Sequence, residues 1–231
     1  MIRFFRKLLL GVLLVTVLPV ILLRGWPPPI TAFMIHAQIR AWTENDATFR
    51  LQRQWVPLDH IAPEAALAVI AAEDQLFNQH FGFDLEAMEQ ALRHNEAGGK
   101  IRGASTLSQQ TAKNLFLYPG KSYLRKAMEA YLTLLLESIL PKQRILEIYL
   151  NSAQFGHGIY GVQAASRHFF GKEAARLTAA EAALLAAVLP NPLRMKVDAP
   201  TPYVLGRQGW ILKQMKQLGG TAYLRDIQIQ G

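Results

Sequence analysis

The sequence predicts a mainly α-helical domain preceded by a single N-terminal transmembrane helix. Past position 55 the apolar residues recur mostly at helical spacing, and the alternation that is typical of strands is scarce. Near the N-terminus, residues 8–23 form an apolar run without a charge. The absence of cysteine excludes a disulfide framework and a thiolate metal site, so redox chemistry does not indicate the compartment.

The apolar run is roughly 16 residues long, whereas a membrane span usually needs about 20, so the phenylalanines at positions 4 and 5 must extend it. The bases before it, Arg3, Arg6 and Lys7, predict that the N-terminus stays in the cytoplasm and that the rest lies outside. A cleaved signal peptide and a buried soluble helix are the alternatives. Residues 24–27 lack the small residues of a cleavage site, which favours an anchor.

The chain of 231 residues is long enough for one domain or two small ones. We predict four segments. Residues 1–7 form a cytoplasmic tail, 8–24 a transmembrane anchor, 25–54 a linker and membrane-proximal segment, and 55–231 the folded domain. The linker is predicted to be stiff because it begins with a proline-rich stretch.

Helix start and stop signals place the first helices of the domain. Pro63 suits the first turn of a helix that continues to about Glu73, which puts this glutamate near a helix C-terminus. Residues 124–140 have the pattern of a long helix that ends at Pro141. A second helix over 142–151 follows at once.

Two further helices are predicted in the C-terminal third. Thr178 and Glu181 form a capping-box pattern ahead of an alanine-rich and leucine-rich run that stops at Pro190. A last helix covers about 204–218 and ends at Gly219, a residue that suits a left-handed cap. The result is an all-α or nearly all-α domain.

Positive charge is concentrated in one part of a chain whose formal net charge is +8. Residues 97–128 contain no acid, and their six bases are Lys100, Arg102, Lys113, Lys121, Arg125 and Lys126. If the fold gathers these side chains, they predict a site for an anionic ligand. A merely solvated face is the alternative.

Two glutamates flank this basic segment. Glu73 is predicted at a helix C-terminus in apolar surroundings, where the helix dipole and desolvation both raise a carboxyl pKa toward the range of a general base. A solvated helix end is the alternative for Glu73 and its neighbour Asp74. Glu129 shares a helix face with Arg125 and with leucines, which indicates partial burial, and an intrahelical ion pair with Arg125 is its alternative.

The segment 103–117 is rich in small, hydroxyl and amide side chains and includes Lys113 and Asn114. These groups suit hydrogen bonding to sugar hydroxyls and phosphate oxygens, although a surface loop is the alternative. It is not a P-loop. The histidines have no metal-binding spacing. Residues 149–172 alternate aromatic residues with glycines, which predicts a close-packed hinge or, alternatively, a binding wall.

Five segments, "EDQLFNQHFGFD", "GASTLSQQTAKN", "RKAMEAYLTLLLE", "ILEIYLNSAQFGHGIYGVQAASRHFFGK" and "LPNPLRMK", resemble in order and spacing the motifs of the peptidoglycan glycosyltransferases, glycosyltransferase family 51. The resemblance covers about residues 55–195. It implies a lysozyme-like helical domain with two lobes around a cleft. It also implies polymerisation of lipid II into β-1,4 glycan strands, with inversion at the anomeric carbon and release of undecaprenyl diphosphate. No Ser-x-x-Lys motif for a transpeptidase domain is present.

The resemblance assigns roles residue by residue. Glu73 matches the general base that takes the proton from the acceptor hydroxyl, and Glu129 matches a second glutamate on the donor and diphosphate side. The matching substrate-binding positions are Asp74, Phe77, His80, Asp84, Ser105, Thr106, Gln109, Gln110, Lys113, Asn114, Lys121, Arg125, Lys126 and Asn151. Ala104 replaces a glycine of the family pattern and Lys121 an arginine, which exchanges a bidentate fork for a point charge.

The same resemblance implies partners and location. The expected partners are lipid II, the growing glycan strand, membrane lipid and cell-wall synthesis or division proteins, with no nucleic acid. We expect no organic cofactor. A divalent cation, magnesium or manganese, is expected at the diphosphate, and the acids Glu73, Asp74 and Glu129 are its only candidate ligands. The chain would be a single-pass protein of the cytoplasmic (inner) membrane, with its N-terminus inside and its catalytic domain in the periplasm or at the outer face.

Two other functions stay open from the sequence. A lysozyme-like glycan-cleaving enzyme would also use glutamate, but it needs neither a basic segment for a diphosphate leaving group nor a membrane anchor. A non-catalytic, membrane-anchored cell-wall scaffold would tolerate replacement of both glutamates. Detection of glycan chain growth distinguishes a glycosyltransferase from both of these alternatives.

Overall fold

Helices dominate the computed structural model, which describes residues 2–96, 98, 103–120 and 122–229. This confirms the predicted mainly α class. The described residues form eleven α-helices: α1 Ile2–Leu22, α2 Ala32–Thr43, α3 Pro63–Glu73, α4 Leu85–Glu96, α5 Leu107–Phe116, α6 Tyr123–Ile139, α7 Lys142–Ser152, α8 Val162–Phe170, α9 Ala179–Val188, α10 Pro202–Gln217 and α11 Tyr223–Ile229. Short 3-10 helices cover Leu58–His60, Ala174–Arg176 and Gly220–Ala222.

The boundaries of the five helices predicted within the domain are confirmed to within about two residues. Helix α3 has Pro63 in its first turn and Glu73 as its last residue. Thr178 and Glu181 exchange the two hydrogen bonds of a capping box at the start of α9. Helix α10 starts two residues before the prediction, because the Thr201 hydroxyl caps it, and Gly219 beyond its end has a left-handed φ of 88°.

The centre of the hydrophobic core is formed by α3 and α9, two helices with almost no polar residues. Helix α3 is buried along most of its length and packs against α9 and α10. Helix α5 packs against α6 and α7, and its residues Leu107 and Gln110 hydrogen-bond to Asp74 and Glu73 at the C-terminal end of α3. Because α3 and α5 are both held by the core, side chains at their ends and exposed edges have fixed positions.

A small sheet joins the segment before the domain to the glycine-rich hinge. The strands are β1 Gln52–Arg53, β2 Gln154–Gly156 and β3 Ile159–Tyr160. β3 is central, antiparallel to β2 and parallel to β1, with Gln52 opposite Ile159 and Arg53 opposite Tyr160. The predicted hinge is thus a hairpin, and its strands are too short to give a periodic signal.

The segment 25–54, predicted as linker and membrane-proximal chain, contributes α2 and β1 to the folded part. Helix α2 begins at Thr31, whose hydroxyl accepts a hydrogen bond from the Met34 amide, and it packs against α5. The folded structure therefore begins before the predicted boundary at residue 55.

Helix α1 covers the predicted anchor and packs against α6, where the hydroxyls of Thr16 and Tyr131 lie 2.9 Å apart. Several of its large apolar side chains are exposed, among them Leu14 and Val15. Within the described ranges, no helix has both the length and the hydropathy required to cross a membrane. The transmembrane anchor over 8–24 stays a prediction.

Candidate active site

The carboxylate of Glu73 lies where three helices meet. It ends α3, and Gln110 of α5 donates from Nε2 to its Oε2 at 3.0 Å. Arg207 of α10 approaches from the other side, with Nη2 3.3 Å from Oε1. The Tyr149 hydroxyl donates to Gln110 Oε1 at 3.1 Å, which fixes the amide so that its NH2 group faces the carboxylate. Glu73 is therefore held from two sides, with 15% of its side chain exposed.

Burial raises the pKa of Glu73 above its ordinary value. The hydrogen bond from Gln110 and the charges of Arg207 and Lys113 oppose this effect without cancelling it. A carboxylate with a raised pKa is a stronger base, and the partial exposure lets a substrate hydroxyl reach it. The environment is thus suited to proton abstraction.

Glu129 is buried on α6 and holds two cations of its own helix. Its Oε2 accepts from Arg125 Nη1 at 2.8 Å, and its Oε1 accepts from Lys126 Nζ. The intrahelical ion pair raised as the alternative is therefore present, together with the predicted burial. Arg125 is largely buried while about half of the Lys126 side chain is exposed, so both cations are oriented by a carboxylate behind them.

The ammonium group of Lys113 interacts electrostatically with both Glu73 and Glu129. Burial lowers the pKa of its ammonium group, while the charges of Glu129 and Glu73 raise it and those of Arg125 and Lys126 lower it. The fold has thus gathered three of the six predicted bases on the surface between α5 and α6. The other three bases, Lys100, Arg102 and the predicted substrate-binding residue Lys121, lie outside the described residues.

Two buried guanidinium N–H groups at this site have no hydrogen-bond partner among the described residues, the Nε atoms of Arg125 and Arg207. An unpaired buried donor is costly, and a bound anion or water would satisfy it. Arg125 borders the cationic cluster, whereas Arg207 borders Glu73. These open donors are consistent with an anionic or polar ligand that spans both ends of the site.

Several predicted substrate-binding residues instead support the loop after α3. Asp74 is buried, with Oδ1 2.8 Å from His80 Nε2 and Oδ2 accepting from the Leu107 amide at 2.9 Å. Phe77 is fully buried, and its ring lies against the ammonium of Lys142 at 4.5 Å. These contacts join the first motif to the start of α5, in the segment that directly follows Glu73.

The hydroxyl and amide residues of the second motif divide into two groups. Thr106 and Gln109 are buried and form the capping box of α5, and the Thr106 hydroxyl also donates to the Gly82 carbonyl at 2.6 Å. Ser105 is exposed, and Asn114 is half-buried on α5 beside Lys113. Among the polar residues of this segment, Ser105, Gln110, Lys113 and Asn114 thus retain access to a ligand.

Two other predicted binding residues have their polar atoms engaged. Asn151 is fully buried, accepting from the Val56 amide and donating to the carbonyls of Val56 and Glu147 at 2.9 Å each. This places Asn151 in a structural position rather than on a ligand surface. Asp84 accepts from the Ala87 amide at 2.8 Å and caps the start of α4.

The described residues contain no cluster of ligands for the predicted divalent cation. Among them, no three His, Cys, Asp or Glu side chains are grouped so that they could hold a metal ion. Both Glu129 oxygens face Arg125 and Lys126. The side chains present therefore do not form a metal site by themselves.

Two contributors to the site were not predicted. Arg207 is a single arginine in a helix far along the chain, and no local pattern marks it. Tyr149 belongs to the segment "ILEIYLN" but is buried, and burial together with the charges of Glu73 and Asp74 raises the pKa of its hydroxyl well above the ordinary value. The neutral phenol is therefore a stable donor to Gln110.

A helical domain that sets a carboxylate of raised pKa beside a cluster of fixed cations has an arrangement suited to general-base catalysis and to the binding of negative charge. The chain belongs to the transglycosylase family, whose model matches residues 41–216.

Two relatives, from Yersinia pseudotuberculosis serotype O:3 (strain YPIII) and Yersinia pestis (strain Pestoides F), are each 54% identical to the chain over 218 residues. The alignments cover 94% of this chain and 90% of each relative. Both relatives are named biosynthetic peptidoglycan transglycosylase.

Proposed function

We propose that this enzyme is a peptidoglycan glycosyltransferase that polymerises lipid II into β-1,4 glycan strands and releases undecaprenyl diphosphate. Membership of the transglycosylase family and the names of the relatives support the activity. The observation that supports the mechanism is the pairing of Glu73, whose pKa is raised by burial, with the cations around Glu129.

Glu73 acts as the general base. Its carboxylate takes the proton from the acceptor sugar hydroxyl while that oxygen attacks the anomeric carbon of the donor. Attack opposite the α-linked diphosphate yields a β linkage, so the configuration is inverted. Gln110 and Arg207 each contact a different oxygen of the carboxylate, which fixes its orientation, and each oxygen keeps a second lone pair that can accept the proton.

Lys113, Arg125 and Lys126 stabilise the departing diphosphate. Negative charge develops on the leaving group as the glycosidic oxygen departs, and fixed cations lower the energy of that transition state. Glu129 contributes indirectly, because its side chain is 2% exposed and its two oxygens orient Arg125 and Lys126. In this role it is a positioning residue for two cations rather than a group that touches the sugar.

The active site lies at the two-lobed cleft implied by the family resemblance. One side is formed by α3 and α10 with Glu73 and Arg207, and the other by α5 and α6 with the cations. A divalent cation, if the reaction uses one, would be held mainly by diphosphate oxygens. Polymerisation measured during a chelator titration tests that point.

Helix α1 attaches the enzyme to the cytoplasmic membrane, as a single-pass segment with its N-terminus inside. Its exposed apolar side chains and the bases Arg3, Arg6 and Lys7 support this placement. The substrate is itself lipid-linked, so attachment keeps the site at the membrane surface. Resistance to carbonate extraction and protection of the first residues from external protease test the topology.

The decisive experiment supplies lipid II to the full chain in detergent and compares wild type, Glu73→Gln and Glu64→Gln. Glu64 lies in the first turn of the same helix, so it controls for loss of a carboxylate from α3. We expect wild type and Glu64→Gln to form a lysozyme-digestible polymer and Glu73→Gln to form none. If the wild type instead shortens pre-made strands, the result would support a glycan-cleaving enzyme. If it neither forms nor shortens strands, the result would support a non-catalytic scaffold.

A further inference from the structure

The C-terminal end of α1 is joined to the domain by an arginine that lies 121 positions further along the chain. Arg144, in the first turn of α7, donates from Nε to the Leu23 carbonyl oxygen at 2.7 Å. The last carbonyls of a helix lack partners within the helix, and the helix dipole favours a cation at this end. Arg144 therefore caps the helix that is proposed to attach the enzyme to the membrane.

Arg144 is itself held in place by a glutamate. Its Nη1 donates to Glu147 Oε1 one turn further along α7, and Glu147 Oε2 accepts from the Leu58 amide at 3.3 Å. Only 15% of the Arg144 side chain and 16% of the Glu147 side chain are exposed. A guanidinium that is already oriented loses little further freedom when it binds a carbonyl. The contact with Leu23 is therefore preorganised.

A second arginine fixes the proline segment that follows α1. Arg53 of β1 donates from Nη1 to the Pro29 carbonyl at 2.6 Å and from Nη2 to the Pro28 carbonyl at 2.7 Å. One guanidinium fork thus binds two successive carbonyls, and the fixed φ of proline limits how this stretch can bend. The stretch predicted as a stiff linker is therefore docked on the domain.

Both guanidinium groups lie against the ring of Trp55. The Cζ atom of Arg53 is 5.5 Å from the ring centre, and that of Arg144 is 5.2 Å from it. These distances are within the range of cation–π contacts. Trp55 is partly buried and packs on the hydrophobic core, so it joins the two arginines through a fixed side chain. We call Arg53, Trp55 and Arg144 the anchor clamp.

Helix α1 also contacts the domain along its side. Val20 and Leu23 are buried in the hydrophobic core, and the Thr16 hydroxyl lies 2.9 Å from the Tyr131 hydroxyl of α6. The anchor clamp adds polar contacts at the point where α1 ends and the proline segment begins. Helix α1 is therefore fixed at its end as well as along its side.

We propose that the anchor clamp couples α1 rigidly to the catalytic domain and thereby holds the Glu73 site at a set height above the membrane. The inference rests on the proposed function, in which α1 attaches the enzyme and the substrate is lipid-linked. The diphosphate and lipid of such a substrate keep its sugars close to the bilayer surface. A rigidly held site meets these sugars without a search over heights and tilts, which raises its effective concentration there. Arg53 and Arg144 are thus positioning residues that act through α1.

The first test measures the coupling directly. The chain contains no cysteine, so two introduced cysteines can be spin-labelled specifically. Val15→Cys on α1 and Arg176→Cys on the domain replace exposed residues, and double electron–electron resonance in detergent gives the distance distribution between their labels. We expect a narrow distribution with the clamp intact and a broad one in Arg53→Gln/Arg144→Gln.

The matched control is Arg40→Gln/Arg93→Gln, which removes two arginines from exposed i, i+4 ion pairs and should leave the distribution narrow. Thermal unfolding checks that the variants fold. If the clamp variant does not fold, Arg53→Gln alone replaces it, because this substitution leaves the Arg144 contacts in place. A smaller broadening is then expected. A distribution as narrow as that of the control would overturn the proposal.

The second test measures the consequence for the reaction. Polymerisation of lipid II in vesicles is compared with polymerisation of a short-chain lipid II analogue in detergent micelles, where no bilayer sets a height. The clamp variant should lose about three- to tenfold of its rate in vesicles, because loss of hydrogen bonds from charged groups undocks part of the α1 population. Its rate in micelles should change less.

Equal losses in vesicles and micelles would overturn the positioning role and indicate general damage to the fold. If the wild type forms no polymer in either setting, the proposed function fails. The distance distributions still decide in that case whether the anchor clamp couples α1 to the domain.

Discussion

The guanidinium of Arg207 lies 3.3 Å from the carboxylate of Glu73, although the two residues are 134 positions apart in the chain. The same Nη2 atom also lies 3.5 Å from the Ala72 carbonyl, so α10 is joined to the C-terminal end of α3 at two points. This cation partly offsets the burial that raises the Glu73 pKa. It sets how much of the base is deprotonated at a given pH.

Replacement of Arg207 by Gln should move the acid limb of the pH–rate profile to higher pH. Loss of the cation removes an effect that lowers the Glu73 pKa, so burial is opposed less and the pKa rises further. The base must be ionised to act, so activity should fall more at pH 6 than at pH 8. The measurement is kcat/KM for lipid II across pH, which reports the pKa of the free enzyme.

The control for this variant is Lys213→Gln, which removes an exposed positive charge from the same helix. Its acid limb should coincide with that of wild type. A uniform loss of activity at all pH values in Arg207→Gln would contradict the electrostatic role and indicate damage to substrate binding or folding.

Replacement of Glu73 by Gln should separate activity from stability. Loss of a general base typically costs about 100- to 10,000-fold in rate. The folded-state pKa of Glu73 is raised above the unfolded value, so its stabilising contribution is present at low pH and is lost as pH rises through the folded pKa. The Gln variant does not titrate, so its stability relative to wild type should increase with pH over that window.

Thermal unfolding of both proteins at several pH values checks this sign. A variant that is less stable than wild type by a growing margin as pH rises would show that the ion pair with Arg207 outweighs burial. In that case the Glu73 pKa is lowered in the folded protein, and the carboxylate would be a weaker base than proposed.

Two ion pairs with the same i, i+4 spacing should differ widely in their effect on stability. Arg125–Glu129 is nearly buried, whereas Arg93–Glu89 has most of both side chains exposed. Glu129→Gln leaves a buried guanidinium without its partner, which we expect to cost about 2–4 kcal/mol. Glu89→Gln should cost less than about 1 kcal/mol.

Urea unfolding of the two variants measures the difference. Glu129→Gln should also raise KM for lipid II, because Arg125 and Lys126 lose the group that orients them. Equal destabilisation by the two substitutions would mean that Glu129 is better solvated than its contacts indicate. An unchanged KM would assign the cations no role in holding the diphosphate.

The helices that the sequence predicts are those with a periodic apolar pattern and a clear stop. Pro141 and Gly219 mark helix ends that the structure confirms closely. Helix α5 was not predicted, because its many polar side chains resemble a loop. Its signal was present nevertheless, since Thr106 and Gln109 have the same capping-box spacing as the pair that starts α9.

The candidate site is only partly readable from the sequence. Motif residues can be recognised by spacing, but spacing does not separate a side chain that faces the ligand from one that supports it. Asp74 and Gln110 both belong to motifs, yet the first is buried beneath the loop and the second faces Glu73. Arg207 reaches the site only through the packing of α10 on α3, a long-range relationship that no local pattern encodes.

Alanine substitutions at two glycines, one at the hairpin tip and one in α10, should change the stability of the protein in opposite directions. Gly158 has a φ of 73°, and a Cβ atom there would lie 2.2 Å from the Arg50 carbonyl oxygen. Gly158→Ala is therefore both strained and crowded. It should destabilise the protein by more than about 1 kcal/mol and displace the hairpin from β1.

Gly206 lies inside α10, where a Cβ atom would meet nothing within 4 Å. Gly206→Ala should stabilise the protein by about 0.5–1 kcal/mol, because alanine loses less backbone entropy in a helix. Chemical denaturation of both variants gives the two free energies. If Gly158→Ala proves as stable as wild type, the hairpin can move away from residue 50, and its packing against the chain before β1 is not rigid.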